Sequence, residues 1–167
     1  DKTLSVVSLI GDSGKPVATV LNYAVHPTIM LGVREVSADL AGETVSHVEN
    51  AVGGVVLWTS GALGDQAPKV QLGAATDNPE RDRAFANSAL QAQGFMLGEA
   101  ATRVIADLTY TDARVEAELR IIPCPVRRLT VPPGMEQAEV DTVDLTLTTL
   151  RVGPVVFAGV SGEVTVP

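Results

Sequence analysis

Apolar residues alternate with polar ones, or form short unbroken runs, in six stretches of the chain, and each stretch predicts a β-strand. The predicted strands are residues 3–10, 17–25, 55–58, 115–122, 142–152 and 155–160. A turn-forming cluster at 11–16 predicts that the first two strands form a hairpin. Two further stretches have helical spacing: one is capped by Ser37 and ends at Gly53-Gly54, and the other covers residues 83–108. The order of elements predicts a mixed α/β fold with an apolar sheet flanked by helices.

Three details add to this predicted fold. The run at 55–58 is fully apolar, which is typical of a strand that is buried on both faces. Gly94 and Gly98 lie inside the second helix, and we expect these small residues to let that helix pack closely on the sheet. His47 lies halfway along the first helix without a suitable partner nearby in sequence, so we interpret it as structural.

Composition narrows the functional classes. The 167 residues are 46% hydrophobic and 19% charged, which is enough to bury a core and fits one domain or a large piece of one. The net charge of -8 argues against nucleic acid as a partner, because phosphate backbones bind clustered Lys and Arg. The sequence contains no run of 18 apolar residues, so it predicts no transmembrane segment. The single cysteine, Cys124, allows no internal disulfide and is interpreted as a small buried residue.

Three chemically suggestive groups each follow the end of a predicted strand. His26 is held by Pro27, the small-residue loop at 59–68 contains Gly64-Asp65, and Glu163 follows the last strand. Because sites collect beyond strand ends, we expect these groups to converge in one cleft, where His and Glu form a usual zinc pair. A lone histidine at a strand end is also a common packing or capping residue. No dinucleotide, Walker, HExxH or CxxC motif is present.

Three short motifs, in order, resemble those of the neutral/alkaline, non-lysosomal ceramidases. The segment Asn22–Thr28 (NYAVHPT), followed by Ser37-Ala38-Asp39, is similar to the family's His-Pro-Thr segment and its Ser-x-Asp. Gly64–Pro68 (GDQAP) resembles the family's Gly-Asn/Asp-x-Ser-Pro loop, and Gly162-Glu163 its Pro-Gly-Glu. The resemblance covers most of this chain and places it in the N-terminal catalytic domain of that family.

The resemblance implies a zinc-dependent amidase that splits N-acylsphingosine into sphingosine and fatty acid. It implies zinc ligation by His26 and Glu163, catalytic positions at Asp65 and Ala67, and supporting roles for Asn22, Asp39 and Gly64. Zinc would polarise the amide carbonyl and acidify a bound water. Asp39 is a candidate for holding the imidazole tautomer. The substrate would be a lipid amide or another small amide, and the location extracellular or periplasmic.

The chain also departs from the family pattern. Ala67 replaces the serine to which the family assigns a catalytic role, and Ser161 replaces a proline. The family draws another histidine from upstream and a tyrosine from downstream, and its catalytic domain is longer than 167 residues. We therefore expect residues 1–167 to be a single domain or an internal piece of one, completed by the remaining segments or by another chain. The alternative is a non-catalytic binding or structural module with the same fold.

Overall fold

The computed structural model of the protein describes residues 3–72, 74–126 and 140–165. The chain divides into two compact units, one of Asp1–Tyr110 with Val164–Pro167 and the other of Thr111–Glu163. The elements in chain order are β1 (Leu4–Ile10), β2 (Pro16–Tyr23), α1 (Asp39–Val52), β3 (Val55–Ser60), α2 (Pro79–Ala106), β4 (Val115–Pro125), β5 (Thr142–Val152) and β6 (Val155–Val160). The sequence pattern predicted all eight of these elements.

The first unit contains a three-stranded sheet in the order β1-β2-β3. β1 and β2 form the expected antiparallel hairpin, in which Leu4 pairs with Tyr23. β2 and β3 are parallel, and Tyr23 pairs with Ser60 at their last residues. The parallel pairing places the carboxyl ends of β2 and β3 side by side, so the loops that follow these strands begin next to each other.

Both helices pack on the same face of this sheet. Two apolar clusters lie between the sheet and the helices. One is centred on Val25 and Ile29 of the loop after β2 and Leu90 of α2, and the other on Leu21 of β2 and Val48 of α1. The glycines of α2 face α1 rather than the sheet. A Cβ atom at Gly94 would lie 2.5 Å from Glu43 Cβ, and one at Gly98 would lie 2.6 Å from His47 Cδ2. The glycines therefore allow close contact between the two helices.

Only one face of β3 is covered, contrary to the expectation that this strand is buried on both faces. Val56 is 5% exposed beneath the helices, whereas Val55 and Leu57 on the opposite face are 56% and 50% exposed. An apolar run of this length does not by itself distinguish a strand covered on both faces from one covered on a single face.

The second unit contains an antiparallel sheet in the order β4-β5-β6. Alternation along β4 places Val115, Leu119 and Ile121 on one face, where each is more than 60% exposed. On the opposite face Arg120 donates a hydrogen bond to Glu118, and this bond raises the pKa of the Arg120 guanidinium. Cys124, which was expected to be buried, is half-buried near the end of β4.

The mixed α/β class is confirmed, with one difference in architecture. The sequence predicted one sheet core flanked by helices, but the described residues form two three-stranded sheets, one in each unit. Within the described ranges, no helix is both long enough and apolar enough to cross a membrane.

Candidate functional site

His26 lies in the loop after β2, beside the loop that follows β3. The backbone N–H of His26 donates to the carbonyl oxygen of Gln66 at 2.9 Å, and the ring atom Nδ1 lies 2.9 Å from the same oxygen. Closer to the strands, the N–H of Gly61 donates to the carbonyl of Tyr23 at 3.2 Å. The parallel pairing of β2 and β3 thus brings two of the three expected strand ends together.

The contact with Gln66 determines which nitrogen of His26 carries the proton. A carbonyl oxygen only accepts hydrogen bonds, so Nδ1 must be the protonated nitrogen. In the neutral ring Nε2 then carries the lone pair, and this is the tautomer in which imidazole binds a metal or accepts a proton. Sequence reasoning missed Gln66, because a backbone carbonyl leaves no side-chain signal.

Backbone hydrogen bonds hold the other residues of the loop that follows β3. Gln66 N–H donates to the carbonyl of Leu63, which forms a tight turn, and Gly64 N–H donates to the carbonyl of Val164 at 2.9 Å. Asp65 is exposed, and its Oδ1 accepts a hydrogen bond from the Gln66 side chain. Ala67 is also exposed and offers no polar side-chain atom. The loop thus carries an exposed carboxylate next to Gln66 and no side-chain hydroxyl at position 67.

Asn22, the first residue of the His-Pro-Thr segment, ties β2 to β3. Its Nδ2 donates to Thr59 Oγ1 at 3.0 Å, and that hydroxyl donates to the carbonyl of Leu21. A Cβ atom at Gly61 would lie 3.3 Å from Asn22 Oδ1, so only a small residue fits where the next loop begins. Asn22 therefore helps to fix the strand ends that carry His26 and the 61–68 loop.

Asp39 lies at the first residue of α1 and is buried, with 7% exposure. Its carboxylate accepts backbone N–H bonds from Ile29 at 3.0 Å, Met30 at 2.7 Å and Leu40 at 2.7 Å. The sequence suggested that Asp39 holds the imidazole tautomer. In the structure Gln66 makes the hydrogen bond to Nδ1, and Asp39 holds the backbone that follows His26.

Glu163 belongs to the second unit and is exposed. The segment before it is tied to β5 by Ser161, whose N–H donates to the carbonyl of Thr146 and whose Oγ accepts the Thr146 N–H. Val164, the next residue, belongs to the first unit, where it accepts the hydrogen bond from Gly64. Among the described residues, no group of three or more His, Cys, Asp or Glu side chains is arranged to hold a metal ion.

The other histidine of the chain contributes to helix packing. His47 Nε2 lies 3.0 Å from Glu99 Oε1, and its ring meets Phe95 edge-on at 5.2 Å. These contacts agree with the structural role inferred from its position in the sequence.

Two solved structures are similar to this chain. One is the neutral ceramidase from Pseudomonas aeruginosa, with a TM-score of 0.64 and 16% identity, over 93% of this chain and 34% of that chain. The fold is ceramidase-like. The second, a ceramidase complexed with C2, has a TM-score of 0.64 and 15% identity, over 93% of this chain and 35% of that chain. The present chain thus spans about a third of the ceramidase chains that it matches. No protein-family model and no curated protein matches it.

Proposed function

We propose that this chain forms part of a zinc-dependent amide hydrolase of the neutral ceramidase type. The observation that carries the proposal is the position of His26: its imidazole is fixed in the metal-binding tautomer at paired strand ends, within a ceramidase-like fold. The His-Pro-Thr segment that resembles the family's motif is the segment that the fold places there.

The donor chemistry of His26 fits zinc, although the described residues supply no complete set of ligands. A catalytic zinc usually has three protein ligands and one open position. We propose His26 and Glu163 as two of the ligands, and we propose that the remaining segments of the domain or another chain supply the rest. Zinc, when bound, would polarise the carbonyl of the substrate amide.

The residues of this chain would orient the reactants. In the overall reaction water adds to the amide carbon, the C–N bond breaks, and a carboxylic acid and an amine leave. Ala67 has no hydroxyl, so the nucleophile at this site would be water rather than the side chain at position 67. We propose Asp65, whose carboxylate accepts a hydrogen bond from the Gln66 side chain, as the group that would hold that water and accept its proton. Asn22 and Gly64 would help to hold the loops after β2 and β3 in fixed positions.

The proposed substrate is a lipid amide of the N-acylsphingosine class or another small amide, and the proposed location is extracellular or periplasmic. Both follow from the likeness to neutral ceramidases.

A second candidate function is a non-catalytic binding or structural module. The observation that favours it is Ala67, because the residue that replaces the family's serine has no oxygen for the chemistry. In such a module the hydrogen bonds from His26 to Gln66 would serve only to join the two loops.

An activity assay separates the two candidates. The whole protein is incubated with short-chain N-acylsphingosine, other lipid amides and simple esters, and the released fatty acid is measured with and without a zinc chelator. We expect amide hydrolysis that the chelator abolishes, and a fall in kcat/KM of about 100-fold or more for His26→Ala. His47→Ala is the matched control, because it removes the other histidine without touching the loops, and it should retain activity. Unchanged hydrolysis in His26→Ala would exclude the proposed role.

A further inference from the structure

Asp39 has an unusual backbone conformation for a residue with a side chain. Its φ is 51°, and among the described residues it is the only non-glycine with positive φ. This left-handed region is unfavourable for residues with a Cβ atom, although Asp and Asn enter it more readily than others. Such a conformation persists when the surrounding contacts determine it, and it occurs often near functional sites.

The carboxylate of Asp39 supplies those contacts. It is buried and accepts three backbone hydrogen bonds, two from the loop after β2 and one from the start of α1. Hydrogen bonds to an ionised acceptor are stronger than those between neutral groups. Asp39 therefore joins the helix N-terminus to Ile29 and Met30, and the left-handed backbone directs the carboxylate to both.

These two amides immediately follow the His-Pro-Thr segment. Thr28 N–H donates to the carbonyl of His26 at 2.9 Å, and Thr28 Oγ1 donates to Gln71 Oε1 at 3.1 Å. His26 itself is held by the hydrogen bond between its Nδ1 and the carbonyl oxygen of Gln66. The segment 26–30 is thus fixed at His26 by the neighbouring loop and at residues 29–30 by Asp39.

We propose that Asp39 is a positioning residue for His26. Its carboxylate fixes the 26–30 segment, so that His26 Nδ1 keeps its hydrogen bond to the Gln66 carbonyl. In the neutral ring, Nε2 of His26 then remains the unprotonated nitrogen. The consequence for metal binding and hydrolysis rests on the proposed function, whereas the effect on the tautomer does not.

The test measures the tautomer directly. Nitrogen-15 NMR of the imidazole rings is recorded at alkaline pH on the whole protein and on its Asp39→Asn, Asp39→Gly and Asp82→Asn variants, and His26→Ala identifies the His26 signals. Asp82 is a matched control, because it is a buried carboxylate that accepts two hydrogen bonds from Thr76, away from His26.

In the wild type we expect two widely separated His26 ring signals, which indicate a single tautomer protonated at Nδ1. In both Asp39 variants these signals should move towards each other, and zinc affinity should fall about 10- to 100-fold, the range seen when such supporting contacts are removed. Asp39→Gly relieves the backbone conformation but removes the carboxylate, so wild-type signals in that variant would overturn the proposal. Wild-type signals in Asp39→Asn, or equal changes in Asp82→Asn, would also overturn it.

Hydrogen exchange in the wild type provides a second test if the Asp39 variants do not fold. The amides of Ile29 and Met30 should exchange as slowly as those in the centre of β2, and fast exchange at both would overturn the proposal. If the proposed function is wrong but the positioning is right, the tautomer shift will appear in a protein that neither binds zinc nor hydrolyses amides.

Discussion

One carbonyl oxygen, that of Gln66, determines the chemistry open to His26. It accepts hydrogen bonds from the backbone and from the ring of the same residue, so the position and the tautomer of the imidazole are set together. Pro27 draws attention to His26 in the sequence, because a proline restricts the backbone of the residue before it. β2 itself ends earlier, at Tyr23. The partner could not be identified in the same way, because any residue at position 66 would provide the same carbonyl group.

Trp58 provides a test of packing at a single side chain. Its Nε1 is the one buried side-chain N or O atom in the described part of the chain without a hydrogen-bond partner, and its ring meets Tyr23 edge-on at 6.3 Å. Trp58→Phe removes the unpaired donor and keeps an aromatic ring, so the loss of packing and the relief of the unpaired N–H should offset each other.

We expect the free energy of unfolding of Trp58→Phe to stay within about 1 kcal/mol of the wild type in denaturant titrations, since leaving a buried donor unpaired costs about 1–3 kcal/mol. Trp58→Ala, which also removes the ring, should cost about 3–5 kcal/mol. A loss in Trp58→Phe as large as that in Trp58→Ala would show that the indole N–H makes an essential hydrogen bond.

The helix boundaries show what local sequence signals determine. Ser37 was predicted to cap α1 and Gly53-Gly54 to end it. The helix covers Asp39–Val52 with Ala38 at the N-cap position and Gly53 at the C-cap, and Ser37 Oγ accepts the N–H of Asp39. The start of α2 was predicted four residues too late. The helix begins at Pro79 with Asn78 as its N-cap, a proline-initiated start that a search for apolar periodicity does not detect.

The sequence predicted the individual strands and helices better than it predicted which of them pair with each other. The alternation along β2 predicts a strand, but nothing in it specifies that β3 pairs with β2 in parallel and so brings the two loops together. The sequence also does not specify which element α2 packs against. The α2 glycines were therefore expected to face the sheet, whereas in the structure they face α1.

Gly98→Ala tests the close contact of the two helices. The added methyl group would lie 2.6–2.8 Å from Cδ2, Cγ and Cβ of His47, so we expect a loss of about 1–3 kcal/mol in the free energy of unfolding. This loss should outweigh the gain of up to about 1 kcal/mol in helix propensity. In a His47→Ala background only part of the loss should disappear, because the ring is absent but the Cβ atom of residue 47 remains 2.8 Å from the added methyl group.

Ser88→Ala is the matched control for this experiment. Ser88 is exposed on the same helix, so its replacement should change stability by less than about 0.5 kcal/mol. If Gly98→Ala is as stable as the wild type or more so, the helices are not in the close contact described above.

Several large apolar side chains are exposed on the described parts of the two sheets. Leu57 on the first sheet is 50% exposed, and Leu119 and Ile121 on the second are 61% and 62% exposed. Large exposed apolar patches commonly mark interaction surfaces. This surface supports the prediction that the remaining segments or another chain complete the domain.

Zinc content shows whether His26 belongs to a metal site. The whole protein, its His26→Ala variant and its His47→Ala variant are purified in parallel without added metal, and zinc per chain is determined by atomic emission. We expect about one zinc ion per chain in the wild type and in His47→Ala, and little or none in His26→Ala. Absence of zinc from the wild type, or the same zinc content in His26→Ala, would contradict the proposed role of His26 as a zinc ligand.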